Sequence, residues 1–269
     1  MALKYAQECQ ADLFLATDPD ADRVGIAVRN EKGDYALLNG NETGVLMMSY
    51  MLSQKQKRGD LGVNPTIIKT IVTTDMAFGV AREFKAEVKE VLTGFKYIGE
   101  ALDKTENYIM GLEESYGYLV GDHARDKDAV SAAMMIVEMC AYYKAQGKTL
   151  LNQLKYLYDT YGYYITDLKS FKYEGQEGMA TMSAIIDKIR SNPIKEFEGE
   201  TLTFTDFFQG VEGLPRSNVL RFRNDDIRLI IRPSGTEPKL KIYYQVKGET
   251  ERDARDKLQR LIDFSGKLF

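Results

Sequence analysis

The sequence is poor in the residues on which several classes of enzyme depend. It has one histidine, His123, so a Ser-His-Asp or Cys-His catalytic site would have to use that residue, and no nucleophile-elbow sequence is visible. Its two cysteines, Cys9 and Cys140, lie far apart, with no CxxC motif and no cluster with histidine. This spacing supports neither a disulfide framework nor a zinc site, and it makes a reducing, intracellular setting the default.

Long apolar runs and an excess of positive charge are also absent. The sequence shows no signal-peptide pattern and no run of about 18 apolar residues, so it predicts a soluble cytoplasmic protein that does not enter a membrane. The formal net charge of −4 argues against nucleic acid or an anionic membrane as the main partner. Any anion-binding site must therefore be local.

What is present is enough chain for more than one domain. The 269 residues, 44% of them hydrophobic and 28% charged, are typical of a globular protein with two domains and part of a third. The opening segment, "MALKYAQECQADLFLAT", predicts a short helix that runs directly into a strand, without a preceding strand or cap. Because an α/β domain rarely opens in the middle of a unit, we expect a truncated chain.

Predicted strands and helices alternate through the first 145 residues or so. A helix at Glu42–Gln56 is followed by the strands "TIIKTIV", "EVKEVL" and "NYIMGLE", which are separated by helices at Asp75–Phe84 and Phe95–Lys104. This alternation predicts a largely parallel sheet covered by helices. A further helix, Asp128–Ala145, is apolar nearly all round, so we expect it to be buried within the sheet packing or in a subunit contact.

The pattern changes after about Phe171. A helix at Gly178–Arg190 is followed by the short strands "LTFTDFF", "NVLRFR", "IRLIIR" and "LKIYYQV", and then by a terminal helix from Thr250. Strands that are grouped together with helices at both ends predict an α+β domain built on an antiparallel sheet. The segment "YGYYITDLKSFKY", which precedes this region, fits either a strand or a linker.

The first segment that could do chemistry is an acidic loop in "LATDPDADRVGIAV". Asp18, Asp20 and Asp22 lie between two predicted strands, and like charges this close raise each other's energy unless a positive charge lies among them. An EF-hand is excluded, because Arg23 and Arg29 stand at the sixth and twelfth positions, where Gly and Glu are required. The loop suits Mg²⁺ with a phosphate beside it, and Arg23 would face that anion. A solvated acidic turn is the alternative.

The second segment is "RPSGTEPKLKIYYQV". It combines the Arg232 guanidinium, the hydroxyls of Ser234 and Thr236, and Gly235, which lets backbone N–H groups approach closely; these are the components of a phosphate site. Between Arg216 and Lys247, eight Lys or Arg residues stand against three Asp or Glu, so an acidic chain is locally at +5. An ordinary hairpin with a polar tip is the alternative.

The third segment is "GLEESYGYLVGDHARDKDAV". Glu113 and Ser115 follow a predicted strand end, where parallel-sheet proteins bind ligands, and their side chains can pair with sugar hydroxyls. Asp128 is able to cap the next helix. Lys96, in "TGFKYIG", follows another strand end. Polar and cationic candidates continue along the segment: His123, Arg125 and Lys127. A merely structural loop and a solvated lysine are the alternatives.

These three motifs, in this order, resemble those of the α-D-phosphohexomutase family, in particular its phosphoglucomutase/phosphomannomutase branch. "DPDADR" is similar to the family's metal loop D-x-D-x-D-[RG], "GLEES" to its sugar loop G-E-E-S, and "RPSGTEP" to its phosphate loop R-x-S-G-T. Two departures stand out. Leu112 replaces a small residue in the sugar loop, and the motif T-[AS]-S-H-N-P, which carries the family's nucleophilic phosphoserine, does not occur in the sequence.

The resemblance implies a four-domain fold of which this chain holds the later part. Residues 1–37 would be the end of domain 2, with the metal loop. Residues 38–161 would be domain 3, an α/β/α unit with a mixed sheet that carries the sugar loop, and residues 162–269 would be domain 4, an α+β unit with an antiparallel sheet that carries the phosphate loop. The N-terminal domains of the same polypeptide, with the phosphoserine, would be its missing partners.

The resemblance also implies a reaction. The complete enzyme would interconvert hexose 1-phosphate and 6-phosphate through glucose 1,6-bisphosphate, which serves as activator and intermediate. Glucose is favoured because "GDHARDKDAV" resembles phosphoglucomutases, with mannose and pentose phosphates as alternatives. The present chain would be inactive alone. A non-catalytic phosphosugar-binding module is the alternative from a different functional class.

Residue roles follow from the same resemblance. Asp18, Asp20 and Asp22 would hold Mg²⁺, and Arg23 would orient the phosphoryl group. Lys96 is favoured over His123 for proton transfer. Substrate binding would fall to the remaining motif residues: Glu113, Ser115, His123, Arg125, Lys127, Arg232, Ser234, Gly235 and Thr236.

Overall fold

Two units, divided between Tyr161 and Gly162, make up the computed structural model of the chain. The structure describes residues 2–173, 175–210, 213–234 and 239–268. Each unit is described separately below.

The first unit opens with a short helix and a three-stranded antiparallel sheet. Helix α1 (Ala2–Glu8) precedes the strands β1 (Leu13–Thr17), β2 (Val24–Arg29) and β3 (Tyr35–Leu38), which lie in the order β1-β2-β3. The β1–β2 register ends at Thr17 opposite Val24, so the acidic residues between them form a tight loop. The segment "RNEKGDY" forms the hairpin that joins β2 to β3.

A second sheet forms the centre of this unit. Its strands lie in the order β5-β4-β6-β7, and their bounds are β4 (Thr66–Thr70), β5 (Glu87–Val91), β6 (Tyr108–Glu113) and β7 (Gly117–Val120). Strand β4 pairs in parallel with β5 and β6, whereas the edge strand β7 is antiparallel to β6. The expected mixed sheet is therefore confirmed.

Helices cover both faces of this sheet. Their bounds are α2 (Gly40–Arg58), α3 (Met76–Glu83), α4 (Phe95–Leu102), α5 (Ala129–Lys144) and α6 (Leu150–Tyr161). A Cβ added at Gly111 would meet Ile98 of α4, and one added at Gly44 of α2 would meet the neighbouring strand residue Leu112. Successive strand residues point to opposite faces. Helices α4 and α2 consequently lie on opposite sides of β6, as an α/β/α unit requires.

Side-chain caps decide where two of these helices begin. The Asn39 side chain accepts a hydrogen bond from the Glu42 amide at 2.9 Å, and the Glu42 carboxylate accepts from the Asn39 amide at 2.8 Å. This capping box starts α2 two residues before the predicted helix. Asp128 accepts from the amides of Val130 and Ser131 at the start of α5, which confirms its predicted cap.

The expectation that α5 is buried within the sheet packing is wrong for one of its faces. Three large apolar side chains of this helix are mostly exposed: Val130 at 68%, Met134 at 63% and Val137 at 50%. They lie on one side of the helix because their spacing is four and three residues. Ala132 and Ile136, on the other side, are fully buried. The alternative, a subunit contact, stays a prediction.

The second unit is an α+β fold on an antiparallel sheet, as expected. Its strands lie in the order β11-β12-β13-β14-β8, and their bounds are β8 (Tyr163–Lys172), β11 (Thr203–Asp206), β12 (Leu220–Arg223), β13 (Ile227–Pro233) and β14 (Lys239–Gly248). The ambiguous segment "YGYYITDLKSFKY" is thus a strand, β8. A small strand pair, β9 (Glu196–Phe197) and β10 (Glu200–Thr201), was not predicted.

Two helices pack on one face of this sheet. Helix α7 (Gly175–Ser191) contributes Ile186 and Ile189 to the core, and helix α8 (Glu251–Ser265) contributes Leu261. These side chains join strand residues that alternate along β12, β13 and β14. Among the helices that the structure describes, none is long and apolar enough to cross a bilayer.

Candidate functional site

Two of the three sequence motifs meet at one edge of the mixed sheet. Because β4, β5 and β6 are parallel, their carboxyl ends lie at the same edge, and Glu113 is the last residue of β6. The acidic loop is attached to this edge by an isolated bridge between Arg23 and Gly117 and by the Val24 amide, which donates to the Tyr116 carbonyl at 3.2 Å. The first unit therefore brings the acidic loop next to the sugar-loop motif.

Asp18 organises the acidic loop. Its Oδ1 accepts hydrogen bonds from the amides of Asp22 at 3.2 Å and Arg23 at 3.0 Å, and its carbonyl accepts from the Ala21 amide at 3.0 Å. The hydrogen bond from the Arg23 amide is the main reason why the pKa of Asp18 lies below its ordinary value. Ala21 adopts a left-handed conformation with φ 55°, which turns the chain sharply enough to place Asp20 and Asp22 beside Asp18.

The donor set of this loop fits a hard divalent cation. One carboxylate oxygen from each of Asp18, Asp20 and Asp22 lies within 4.8 Å of the other two. Three oxygens at that separation surround an ion of the size of Mg²⁺ after small side-chain rotations, and Mg²⁺ prefers carboxylate oxygen while keeping several positions for water or phosphate. Asp20 is exposed, so the loop is open on that side.

Two cations face the carboxylates. The Arg23 Nε lies 3.7 Å from Asp22 Oδ1, and the Lys127 Nζ lies 2.6 Å from Asp22 Oδ2. The Lys127 side chain is only 13% exposed. Burial alone would lower the pKa of Lys127, but hydrogen bonds to Asp22 and Asp126 outweigh it and raise that pKa above its ordinary value. Lys127 is therefore a firmly protonated neighbour of the acidic loop, which the sequence did not reveal.

Glu113 is a buried carboxyl group with few partners. It is 5% exposed, and its Oε1 accepts from the Gly94 amide at 2.9 Å. Burial raises the pKa of Glu113, while the Gly94 hydrogen bond and the charges of Lys127 and Arg23 oppose that rise. The predicted loop after Glu113 is instead a tight hairpin: Tyr116 is left-handed with φ 68°, and β7 begins at the next residue. Ser115 lies in this turn and is half-buried.

Lys96 lies near the same sheet edge. It is the second residue of α4, two positions after the Gly94 whose amide contacts Glu113. Its side chain is exposed, and its ammonium lies 4.8 Å from the centre of the Tyr97 ring. The structure thus places an accessible lysine two residues after the glycine that binds Glu113.

His123 and Arg125 each contact a carboxylate outside the acidic loop. His123 Nε2 lies 2.9 Å from Asp128 Oδ2, so the ring contacts the capping residue of α5. Arg125 donates from Nε to Asp103 Oδ1 at 2.6 Å, at the C-terminal end of α4. Because α4 begins at the carboxyl edge of the sheet and runs away from it, the structure does not bring Arg125 to the acidic loop.

A buried lysine that no sequence motif indicated lies beneath this edge. Lys69 of β4 is fully buried, and its ammonium donates to Glu90 Oε1 at 2.7 Å, Asp75 Oδ1 at 3.1 Å and the Thr73 carbonyl at 3.0 Å. The signal for it was a single lysine within the apolar run "TIIKTIV". This cation joins the segment that follows β4 to strand β5.

The third motif lies in the second unit, on the sheet face opposite its core. Arg232 pairs with Lys241, and Lys241 pairs with Ser170 of β8. The Ser234 amide donates to the Lys239 carbonyl at 2.7 Å, and Lys239 pairs with Lys172. Directly paired residues and residues two apart share a face. One face therefore carries a set we call the cationic face: Arg232, Ser234, Lys239, Lys241 and Lys172.

Part of the predicted phosphate loop cannot be placed. Gly235 and Thr236 lie outside the described residues. Lys172, Lys239 and Lys241 were not singled out from the sequence, although the alternation in "KLKI" is a signal for the last two. Leu240, between these two lysines, points into the core, so Lys239 and Lys241 lie on the other face.

Comparisons with known proteins connect both units to one family. Residues 39–161 match the family profile described as phosphoglucomutase/phosphomannomutase, alpha/beta/alpha domain III. Residues 174–259 match the profile described as phosphoglucomutase/phosphomannomutase, C-terminal domain.

A curated relative is similar along nearly the whole chain. It is a phosphoglucomutase from Staphylococcus aureus (strain USA300), 38% identical over 277 aligned positions that cover 97% of this chain and 49% of that enzyme. The chain therefore spans about half the length of the curated relatives it matches.

Solved structures share the fold. One is the open form of the Paramecium phosphoglucomutase pp63/parafusin, with TM-score 0.74 and 19% identity, covering 96% of this chain and 45% of that one. Another is the Aspergillus fumigatus N-acetylphosphoglucosamine mutase in complex with GlcNAc-6P and magnesium, with TM-score 0.56 and 16% identity, covering 99% of this chain and 53% of that one. A further structure of the same fungal enzyme contains glucose 1,6-bisphosphate.

Proposed function

Because the chain belongs to the phosphoglucomutase/phosphomannomutase family, we propose that it supplies the metal and phosphate sites of an enzyme that interconverts hexose 1-phosphate and 6-phosphate, with glucose favoured. The observation that carries this proposal is the meeting of three acidic-loop carboxylates with Glu113 at one sheet edge. Residues 1–37 would end domain 2, residues 38–161 would form domain 3 and residues 162–269 domain 4. The family matches at 39–161 and 174–259 support that division.

Asp18, Asp20 and Asp22 would hold Mg²⁺. When bound, the ion would neutralise charge on the oxygens of a phosphoryl group. The chain's own contribution is the loop built on Asp18, whose carboxylate accepts from the backbone amides of Asp22 and Arg23 and so fixes the turn that carries the other two aspartates. Arg23 lies within 4.0 Å of two of these carboxylates, from where its guanidinium would orient the phosphoryl group.

Glu113 and Ser115 would recognise sugar hydroxyls. The Glu113 carboxyl group accepts from the Gly94 amide through Oε1 and keeps acceptor capacity for a ligand. Lys96 would carry the proton to or from the sugar oxygen, because it is exposed and lies beside the Gly94–Glu113 contact. His123 and Lys127 remain candidates for extra phosphate contacts.

The cationic face would bind the phosphate that is not reacting. Arg232 and Lys241 stand directly opposite each other, and like charges in such a pair repel until an anion lies between them. A site made of charges and N–H groups accepts a phosphate from either end of the sugar, as a reaction through glucose 1,6-bisphosphate requires.

The nucleophile would come from outside this sequence. The chain has no T-[AS]-S-H-N-P motif, so we propose that the N-terminal domains of the same polypeptide provide the phosphoserine and that the present chain does not turn over substrate alone. A cytoplasmic location fits a phosphosugar substrate.

Calorimetry and an activity assay on the purified chain test this proposal together. With Mg²⁺ present, we expect glucose 6-phosphate to bind, mannose 6-phosphate to bind more weakly, and glucose itself not to bind. No glucose 1-phosphate should be converted, even with glucose 1,6-bisphosphate added. Robust conversion would refute the proposed inactivity, and equal heats for glucose and its phosphate would refute phosphosugar binding.

A further inference from the structure

One carboxylate of the acidic loop, that of Asp22, lies beside two cationic side chains. Asp22 Oδ2 lies 2.6 Å from the Lys127 ammonium, and Asp22 Oδ1 lies 3.7 Å from Arg23 Nε. Asp126 is a second, weaker partner of Lys127 at 3.2 Å, and its side chain is 70% exposed. Asp22 therefore has two cationic partners without a metal ion, and Lys127 is the closer of the two.

Lys127 is held in this position by the chain around it. The Asp128 amide donates to the Tyr118 carbonyl at 2.8 Å, and the Ala129 amide donates to the Ala21 carbonyl within the acidic loop at 3.1 Å. The aliphatic stem of Lys127 packs over Gly117, where an added Cβ would lie 2.7 Å from its Cδ. Contacts with β7 and at the start of α5 thus hold the Lys127 ammonium beside Asp22.

We propose that Lys127 is the resident counter-ion of the acidic loop, that a divalent cation displaces it from Asp22, and that the released ammonium turns to the Glu113 side of Gly117 to meet an anionic ligand. This proposal rests on the proposed metal-binding function of the loop. It assigns Lys127 a role in coupling the two motifs, in addition to any direct contact with substrate.

Competition for one carboxylate is the first physical reason. A metal ion that coordinates Asp22 shares one carboxylate with the ammonium, and the two positive charges repel each other at a few ångströms. Displacing a partly buried ammonium costs free energy, so the metal binds more weakly than it would to an unpaired loop.

The nearby Glu113 is the second reason. A Cβ at Gly117 would also lie 3.6 Å from Glu113 Oε2, so the Lys127 stem and the Glu113 carboxylate flank the same glycine. Rotation about the end of the stem can therefore carry the ammonium from one acidic group towards the other. A ligand bound beside Glu113 that attracts the ammonium would release Asp22, and by linkage the metal would strengthen binding of that ligand by the same factor.

A purely structural role for Lys127 predicts the opposite change in metal affinity when its charge is removed. If the lysine merely holds Asp22 in the geometry that a metal requires, removing its charge would weaken metal binding. If it is the counter-ion that a metal displaces, removing its charge would strengthen metal binding. The direction of the change separates the two.

Mn²⁺ titration, followed by the electron paramagnetic resonance of the free ion, measures this direction. We expect Lys127→Met to bind Mn²⁺ about tenfold more tightly than the wild-type chain, and Lys127→Arg to stay near wild type because it can still pair with Asp22. The matched control is Lys144→Met, which removes the same charge from an exposed ion pair with Asp12 in the same unit. It should leave the Mn²⁺ affinity unchanged.

Unchanged or weaker binding in Lys127→Met would overturn the inference while leaving the metal proposal standing. Absence of Mn²⁺ binding in the wild-type chain and every variant would overturn both. A measurement on the wild-type chain covers the case in which Lys127→Met does not fold. The lysine Nζ resonance of Lys127, assigned by its loss in Lys127→Arg, should shift as Mg²⁺ saturates the loop, whereas that of Lys144 should not. A stationary Lys127 resonance during metal binding would overturn the inference.

Discussion

Glu113 shows how burial makes a single residue sensitive to pH. Its raised pKa means that the folded chain holds this proton more tightly than the unfolded chain, where the ordinary value is 4.5. The resulting stabilisation is fully present below pH 4.5 and is lost as the pH rises through the folded-state value. We therefore predict that Glu113→Gln gains stability relative to wild type as the pH increases from about 4 towards neutrality.

Urea unfolding at a series of pH values, followed by circular dichroism, checks this prediction. Glu100→Gln serves as a control, because that carboxylate is 63% exposed and pairs with Lys104 on the surface. A free-energy difference between Glu113→Gln and wild type that does not change with pH, or that changes in the opposite sense, would contradict it.

Arg232 and Lys241 provide a second test at the scale of side chains. We predict that Arg232→Ala weakens binding of glucose 6-phosphate by about 1.5–3 kcal/mol, the range for a hydrogen bond to a charged group. Lys241→Ala should weaken it by less, since a lysine lacks the bidentate fork of arginine.

Calorimetry on the two variants and on Lys169→Ala makes this comparison specific. Lys169 pairs with Asp167 at 2.9 Å and lies opposite Ile242, on the other face of the same sheet. We expect Lys169→Ala to bind like wild type. Equal losses in all three variants would point to a general charge effect and remove the assignment of the phosphate site to the cationic face.

At the scale of elements, Lys69 explains how the carboxyl edge of the mixed sheet keeps its shape. Its ammonium donates to oxygens beyond the end of β4 and on β5, so it holds two elements with one buried charge. We predict that Lys69→Met lowers the free energy of unfolding by about 3–5 kcal/mol, because it removes a fully buried cation that two half-buried carboxylates share.

The neighbouring strand supplies a matched control for this prediction. Lys89 of β5 donates to Thr105 at 3.2 Å and is only half-buried. Lys89→Met should cost about 1 kcal/mol or less, as is usual for a partly exposed hydrogen bond. Similar losses for both variants in urea unfolding would show that Lys69 is an ordinary strand residue.

The elements that the sequence predicted well are those with strong apolar runs. The strands β4, β6 and β13 follow from buried, nearly continuous Ile and Leu, and α8 follows from its Thr250 cap. The strand β7 was missed, because only four residues separate a tight turn at Tyr116 from Gly121 and the local composition is that of a loop. The exposed side of α5 was missed because apolar periodicity does not reveal which faces have neighbours.

For the candidate site too, the sequence predicts local motifs but not contacts that depend on the fold. Three aspartates in five residues and the Arg-Pro-Ser run predict metal and phosphate chemistry from local spacing alone. The contact between Lys127 and Asp22 depends on the unpredicted β7, which carries the chain back to the acidic loop, so no local pattern could reveal it. Arg125 and Lys127 are two residues apart, yet Arg125 pairs with Asp103 and Lys127 pairs with Asp22.

At the scale of the whole molecule, the three motifs are divided between the two units. The acidic loop and Glu113 belong to the first unit, whereas Arg232 belongs to the second. In the proposed function each unit contributes to phosphosugar binding, the first through the acidic loop and Glu113 and the second through Arg232. That each unit contributes is the central claim of the proposed function.

Relaxation of the ³¹P nuclei of glucose 1,6-bisphosphate by protein-bound Mn²⁺ tests that claim most directly, because one phosphate can lie near the ion while Arg232 holds the other. The paramagnetic ion at Asp18, Asp20 and Asp22 reports only on phosphate held close to it. We predict strong relaxation with the wild-type chain and its loss both in a variant with these three aspartates changed to asparagine and in Arg232→Ala. Relaxation that persists in Arg232→Ala at wild-type strength would contradict the claim that the cationic face contributes to phosphosugar binding.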